Sequence, residues 1–236
     1  MNAKSTVYLI PCTLGEESVD AIPQYVKEIV YQLDMFFVEN ERSARRYLRS
    51  IGYAKNFDEV KLILLDKQNE AKNIKPHLLH IQKNNLSAGV LSEAGCAGIA
   101  DPGTLVIKQA HIYGIHVSPL VGPSSILLAL IASGMNGQSF SFHGYLPIET
   151  PNQLKKIKEL ESIAARFGST QIFMETPYRN NKMIENILHT CLPDTKLCIA
   201  CDINLPTEFI QTKSVKEWRQ EKPDIHKRPA IFLINM

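Results

Sequence analysis

Over its first 145 residues the chain alternates short, unbroken apolar runs with segments of helical length, and that alternation allows few folds. "TVYLI" (6–10), "MFFV" (35–38), "KLILL" (61–65), "AGVLS" (88–92) and "HVSPLV" (116–121) are apolar and largely β-prone. Between them lie stretches of helical length, roughly 19–33, 41–50, 69–83, 104–113 and 123–133. A strand with one wet face alternates apolar and polar residues, whereas an unbroken run is covered on both faces. Such runs separated by helices predict a mostly parallel five-stranded sheet with helices on either side. "GPSS" (122–125) is a helix-start signal, with Pro123 suited to a first turn and a serine able to cap.

After "HGYLP" (143–147) the texture changes. A charged helix, "NQLKKIKELESIAARF" (152–167), leads to a strand, "TQIFME" (170–175), and a second helix over about 179–190. "KLCIACDI" (196–203), "TEFIQTKS" (207–214) and "AIFLIN" (230–235) read as strands with short connections, which predicts a mixed sheet. The expected fold is therefore α/β with two domains, 1–145 and 148–236. There is no internal repeat and no low-complexity tract.

Composition narrows the classes further. A chain of 236 residues that is 44% hydrophobic and 21% charged can bury a real core. Its net charge of +2 sets up no global field for nucleic acid, so any basic patch has to be local. Five cysteines without a framework suit a reducing cytoplasm better than secretion. No basic, apolar, small-residue leader opens the sequence, and "ILLALIA" (126–132) is too short to span a bilayer. The expectation is a soluble cytoplasmic protein with no membrane partner.

Two loops then stand out. "SEAGCAGIADPG" (92–103) follows the fourth apolar run and "VGPSS" (121–125) follows the fifth. Open α/β sheets bind ligands outside the carboxyl ends of their strands. Gly95, Gly98 and Gly103 allow positive φ and let backbone amides approach a ligand. Plain turn chemistry is the alternative, but two such loops in succession favour a ligand. No G-x-x-x-x-G-K-[ST] is present, and the first strand runs into "PCTLGEES" rather than G-x-G-x-x-G. No lysine or arginine lies within 86–107, which points to a neutral or zwitterionic ligand held by backbone groups.

"VLSEAGCAGIADPG", "GIHVSPLVGPSSILLALIASG", "FSFHGYLP" and "IFMETPYR" closely resemble the tetrapyrrole-methylase-like superfamily of S-adenosylmethionine (SAM) methyltransferases. Within it they are most similar to the branch that 2′-O-methylates a cytidine of small-subunit ribosomal RNA. The resemblance runs from the first strand to "PAIFLIN". It implies two α/β domains with SAM in the cleft between them, and usually a homodimer. By residue, it implies that Gly95, Cys96, Ala97 and Ala100 form the SAM loop and that Ser124 and Ser125 face the cofactor from the loop after the fifth strand. Pro11, Met174, Ala200, Pro229 and Ala230 match further cofactor-lining positions.

The substrate side departs more from the family pattern. The branch's A-E-D-T-R-x-T-R-x-L-L appears as "VENERSARRYL" (38–48), which keeps Glu39, Arg42, Arg45 and Leu48 and loses the aspartate. Its H-x-H-N-E keeps Asn69 and Glu70, and its D-A-G-T-P-G has become "EAGCAG", with Glu93 for the aspartate and Ala97 for the proline. The resemblance therefore implies Arg42, Arg45, Asn69 and Glu70 as substrate-binding residues.

Methyl transfer from a sulfonium asks mainly for in-line positioning, which suits a site of backbone and small side chains. A ribose hydroxyl is a poor nucleophile near neutral pH, so a general base helps. Glu39 and Glu93, both at strand ends, are the candidates, against the plainer role of solvated or helix-capping carboxylates. Arg42, Arg45, Arg46 and Arg49 recur at helical spacing, either as a stripe for RNA phosphates or as a solvated helix face. Cys198 and Cys201 invite a metal reading, but residues three apart on a strand point to opposite faces and no second ligand pair exists, so no metal is expected. His143, between phenylalanines, reads as structural, while Tyr178 and Arg179 either line a cleft rim or begin a helix. The sequence thus predicts a SAM-dependent methyltransferase acting on ribosomal RNA. A small-molecule methylase of the same fold and a SAM-binding protein without catalysis stay open beside it.

Overall fold

Every strand of the first sheet runs the same way. In the computed structural model, which describes residues 5–15, 18–65 and 70–236, the five apolar runs form β1 (Thr6–Ile10), β2 (Met35–Val38), β3 (Lys61–Leu64), β4 (Ser87–Leu91) and β5 (His116–Pro119). They are ordered β3-β2-β4-β1-β5, and all neighbours are parallel. The connections are α1 (Gln24–Tyr31), α2 (Glu41–Ser50), α3 (Glu70–Asn84) and α4 (Gly103–Ile112).

Alternation along each strand splits the core in two. Phe36 and Ile10 join Val26, Val30 and Leu48 from α1 and α2 on one face. Phe37 and Val90 join Ile74, Leu78 and Val106 from α3 and α4 on the other. Each such side chain stabilises by about 1.5–3 kcal/mol relative to exposure. Gly89 makes this possible at the sheet centre, because a Cβ there would sit 2.4 Å from Ile10 Cδ1 and 2.7 Å from Phe36 Cδ1. At the start of α2 the Asn40 side chain caps the helix, accepting from the amides of Arg42 at 2.9 Å and Ser43 at 3.1 Å.

The chain divides after Ser124 into two compact units. The second begins with α5 (Ser125–Ser133) and β6 (Phe140–Tyr145), earlier than the expected boundary near Leu146 and Pro147. The reason is pairing: β6 joins β7 (Thr170–Met174) in parallel and becomes the edge of the second sheet. That sheet is ordered β6-β7-β10-β8-β9, with β8 (Lys196–Cys201), β9 (Phe209–Ser214) and β10 (Ala230–Asn235) antiparallel to their neighbours. The mixed sheet is as expected.

On one face Phe173, Ile199, Cys201 and Phe232 pack with residues of α6 (Thr150–Phe167), α7 (Asn180–Thr190) and α8 (Val215–Gln220). The short α8 is held by a capping box between Ser214 and Glu217 and by Trp218, whose indole donates to Leu197 O at 2.9 Å. On the opposite face α5 packs over β8, β9 and β10, and Thr212 Oγ1 donates to Ser133 O at 2.8 Å. Cys198 pairs with Leu233 on that face and Cys201 belongs to the other, so the two thiols point apart. His143 Nε2 lies 2.8 Å from Gln171 Oε1. Among the described residues no group of His, Cys, Asp and Glu could hold a metal ion, and no helix is long and apolar enough to cross a membrane.

Candidate functional site

Three loops meet at the carboxyl ends of β1, β4 and β5. Cys12, two residues past β1, exchanges backbone hydrogen bonds with Gly95, N to O at 2.8 Å one way and 3.1 Å the other. Cys96 Sγ lies 3.5 Å from Pro123 O, which ties the β4 loop to the β5 loop. Gly122 closes the triangle: a Cβ there would lie 2.1 Å from Pro11 Cβ, so only glycine lets these loops touch. Pro11 is fixed again from α2, because the buried Tyr47 hydroxyl donates to Pro11 O at 2.6 Å. Burial pushes the thiol of Cys12 and the phenol of Tyr47 up, so both stay protonated as donors, Cys12 to Ser92 O at 3.1 Å.

The β4 loop is shaped by a residue that motif reading passed over. Asp101 accepts from the amides of Gly98 at 2.7 Å and Gly103 at 2.8 Å, folding 98–103 around one carboxylate. Burial pushes the Asp101 carboxyl up against the opposing pull of those amides. The signal was local: an aspartate between glycines in "GIADPG" is a turn-former that bonds to nearby backbone. Gly95 and Gly98 adopt positive φ, +68° and +90°, and Ala100 does so at +59°. Gly103 does not use that freedom. It opens α4, and its missing side chain makes room for Val90 Cγ1, which would be 2.8 Å from a Cβ. Ala97 is buried in the core beside Val90 and Val106, so its methyl group anchors the loop.

Beside this cradle lies a cleft of about 390 Å³ between the β1 loop, α2 and the β4 loop. It is lined by Thr13, Ser43, Arg46, Ser50, Ser92 and Glu93, among others. Glu39 Oε1 accepts from the backbone amide of Glu93 at 3.2 Å, so the first candidate base holds the loop that carries the second. The arginine stripe divides. Arg45 pairs with Glu41 at 3.3 Å and lies 5.3 Å from the Phe57 ring, while Arg49 lies 4.4 Å from that ring and donates to Tyr53 O at 2.6 Å. Arg42 is exposed and Arg46 lines the cleft. Asn69 lies outside the described residues, and Glu70 is described only as the first residue of α3.

In the second unit, Met174 and Ala200 flank Ile231 on neighbouring strands and share one sheet face. Ala230, paired with Cys201, belongs to the opposite face, and Pro229 O accepts from Asp202 N at 3.0 Å. Ser124 is buried at the end of the first unit and Ser125 opens α5 in the second. Arg179 is not a free rim residue. It donates to the buried Glu175 through Nε at 3.0 Å and a terminal nitrogen at 2.6 Å, while Gln153 reaches the other carboxylate oxygen at 3.3 Å.

No family model matches the chain. Its sequence is 27% identical over 237 residues to the ribosomal RNA small subunit methyltransferase I of Vibrio cholerae, covering 99% of this chain and 78% of that protein. It is 28% identical to the Haemophilus influenzae protein of the same name, over 97% of this chain and 77% of the relative. Among solved structures, uroporphyrin-III-C-methyltransferase from Thermus thermophilus superposes with a TM-score of 0.56 at 16% identity, covering 98% of this chain and 92% of that one. The chain therefore has the fold of the tetrapyrrole methyltransferases, and along nearly its whole length it is similar in sequence to proteins named as ribosomal RNA small subunit methyltransferases. The three-loop cradle at the ends of β1, β4 and β5 is the part of its first unit built from backbone and small side chains.

Proposed function

We propose that the chain transfers a methyl group from SAM to a ribose 2′-hydroxyl of a cytidine in small-subunit ribosomal RNA. The observation that carries the choice of acceptor is the similarity along 97–99% of the chain to proteins named for ribosomal RNA. The solved tetrapyrrole enzyme shares the fold at only 16% identity, so it does not carry the small-molecule alternative.

The cradle suits the cofactor. Gly95 at φ +68° presents backbone without a side chain, and 94–100 carries no charged residue that a sulfonium or carboxylate would have to displace. Gly95, Cys96, Ala97, Ala100 and Ser124 are the proposed cofactor contacts of this cradle, with Pro11 beside them. When bound, SAM supplies an electrophilic methyl group. The chain's own part is to fix the loops, through the Cys12–Gly95 bridge and the Tyr47–Pro11 bond, and to hold the acceptor hydroxyl. Glu39 is the proposed base or anchor, with Glu93 next to it. Arg42 and Arg45 are the proposed phosphate contacts and Asn69 and Glu70 further substrate contacts. A homodimer working in the cytoplasm completes the reading.

The test is ribose-methylation mapping of small-subunit RNA from cells with and without the gene. A cytidine that loses its 2′-O-methyl group in the deletion and regains it on complementation supports the proposal. Identical maps overturn it.

A further inference from the structure

The loops at one end of the second sheet hold an aromatic side chain out into solvent on a rigid mount. Tyr178 follows β7 in a single 3-10 turn, Pro177–Arg179, and is 71% exposed. A lone exposed tyrosine is ordinary; its mount is not. Arg179 donates twice to the buried Glu175, whose carboxylate also accepts from Thr176 N at 2.7 Å. From the loop before β10, Lys227 N donates to Pro177 O at 3.0 Å, and the His226 ring stands edge-on to the tyrosine ring, 6.2 Å between centroids. Lys227 Nζ lies 5.8 Å from the centre of the same ring, within cation–π range.

Lys227 is a residue that its own turn does not explain. It adopts φ +63°, a left-handed conformation that suits glycine and that asparagine or aspartate tolerate through short side-chain bonds. A lysine gains no such bond. The cations around it are committed: Arg179 to Glu175, Arg228 to Asp202 at 2.8 Å and Lys182 to Glu185 at 3.2 Å. The Asp224 carboxylate accepts from Asn181 and from His226 N. Lys227 makes no ion pair among the described residues, which include the whole of the second unit. We infer that Tyr178 and Lys227 form a stacking platform for the acceptor RNA, in which the tyrosine ring takes one unpaired base and the lysine a backbone phosphate of the same strand, with His226 holding the ring in place. Unpaired bases stack on aromatic side chains set beside cations, and do so with little regard to sequence. The inference rests on the RNA-methylating reading and adds a contact that takes no part in methyl transfer itself.

The test is a fluorescence-anisotropy titration of the full chain with a single-stranded RNA octanucleotide at several salt concentrations. Tyr178→Ala truncates an exposed side chain and Lys227→Gly places the favoured residue at φ +63°, so both variants keep the fold. Lys216→Ala removes an equal charge from α8, where Lys216 N bonds to Pro193 O at the other end of the sheet. The wild type is expected to bind. Tyr178→Ala should weaken binding at least about fivefold, the lower end for one base stack, with the salt slope unchanged. Tyr178→Phe keeps the ring and should match wild type. Lys227→Gly should lower the slope by about 0.7, one single-strand phosphate, and Lys216→Ala should leave it as it is. SAM affinity should stay at its wild-type value in all of these variants. No RNA binding by wild type, a loss in Tyr178→Ala below about fivefold, or equal slopes in Lys227→Gly and Lys216→Ala overturns the inference. Weaker SAM binding by Tyr178→Ala overturns it too, by assigning the ring to the cofactor. A wild type that binds in the expected pattern yet methylates no ribosomal RNA overturns the proposed function and leaves the platform standing.

Discussion

Cys12 and Gly95 exchange two backbone hydrogen bonds, and through them the loops after β1 and β4 become one short antiparallel bridge. The bridge needs Gly95 at φ +68°, where a side chain costs roughly 1–2 kcal/mol in backbone strain alone. Gly95→Ala is expected to lower stability by about that amount, measured by chemical denaturation. Gly95→Trp should also abolish SAM binding in isothermal titration, by filling the backbone approach. Unimpaired SAM binding by Gly95→Trp would remove the loop from the cofactor site.

Tyr47→Phe tests the second tie. It deletes the hydroxyl that donates to Pro11 O at 2.6 Å and leaves a buried carbonyl short of a partner. The expected cost is about 1–3 kcal/mol, together with a raised KM for SAM and little change in kcat. Stability and KM both equal to wild type would mean that the β1 loop holds itself.

Glu39→Gln keeps the size of the side chain and an oxygen able to accept from Glu93 N, so the loop stays in place. Only the charge is lost. If Glu39 takes the acceptor proton, kcat for methyl transfer falls by about 10²-fold or more, with SAM affinity unchanged. A fall of less than about fivefold assigns Glu39 to loop support instead, since proton transfer contributes on the larger scale.

Much of this was legible in the sequence. The five unbroken apolar runs fixed the parallel sheet because β1, β2 and β4 are covered on both faces and their residues had to read as apolar throughout. The same signal failed for β6. As an edge strand it leaves Phe140 and Tyr145 exposed and breaks its apolar run with Ser141, His143 and Gly144, so its move into the second sheet was hidden. The six-residue α8 was too short for periodicity to show. At the site, the glycine loops announced themselves by composition, whereas Asp101 did its work by bonding to amides two and three residues away. The division of the arginine stripe was invisible because Phe57 lies outside α2 and nothing in the helical spacing names it.

Glu161 offers a pH-dependent check on the second unit. Burial acts to raise its carboxyl, but bonds from Lys158, Thr195 and the Leu192 amide outweigh burial and hold it below the usual carboxylate range. A carboxylate held low in the folded state stabilises above its unfolded value, near 4.3, and that contribution is lost as pH falls through the folded value. Glu161→Gln should therefore lower stability at neutral pH and flatten its loss on acidification below about pH 5. Denaturant midpoints that fall in parallel for wild type and variant would contradict this.

The central claim is tested most directly by supplying the purified chain with SAM carrying a labelled methyl group, together with small ribosomal subunits from cells that lack the gene. Label is expected on a cytidine ribose of the small-subunit RNA, at a defined position and only with active protein. SAM binding without label in subunits, free ribosomal RNA or tetrapyrroles would contradict it, leaving a cofactor-binding protein; label in tetrapyrroles alone would contradict it equally and make the chain a small-molecule methylase.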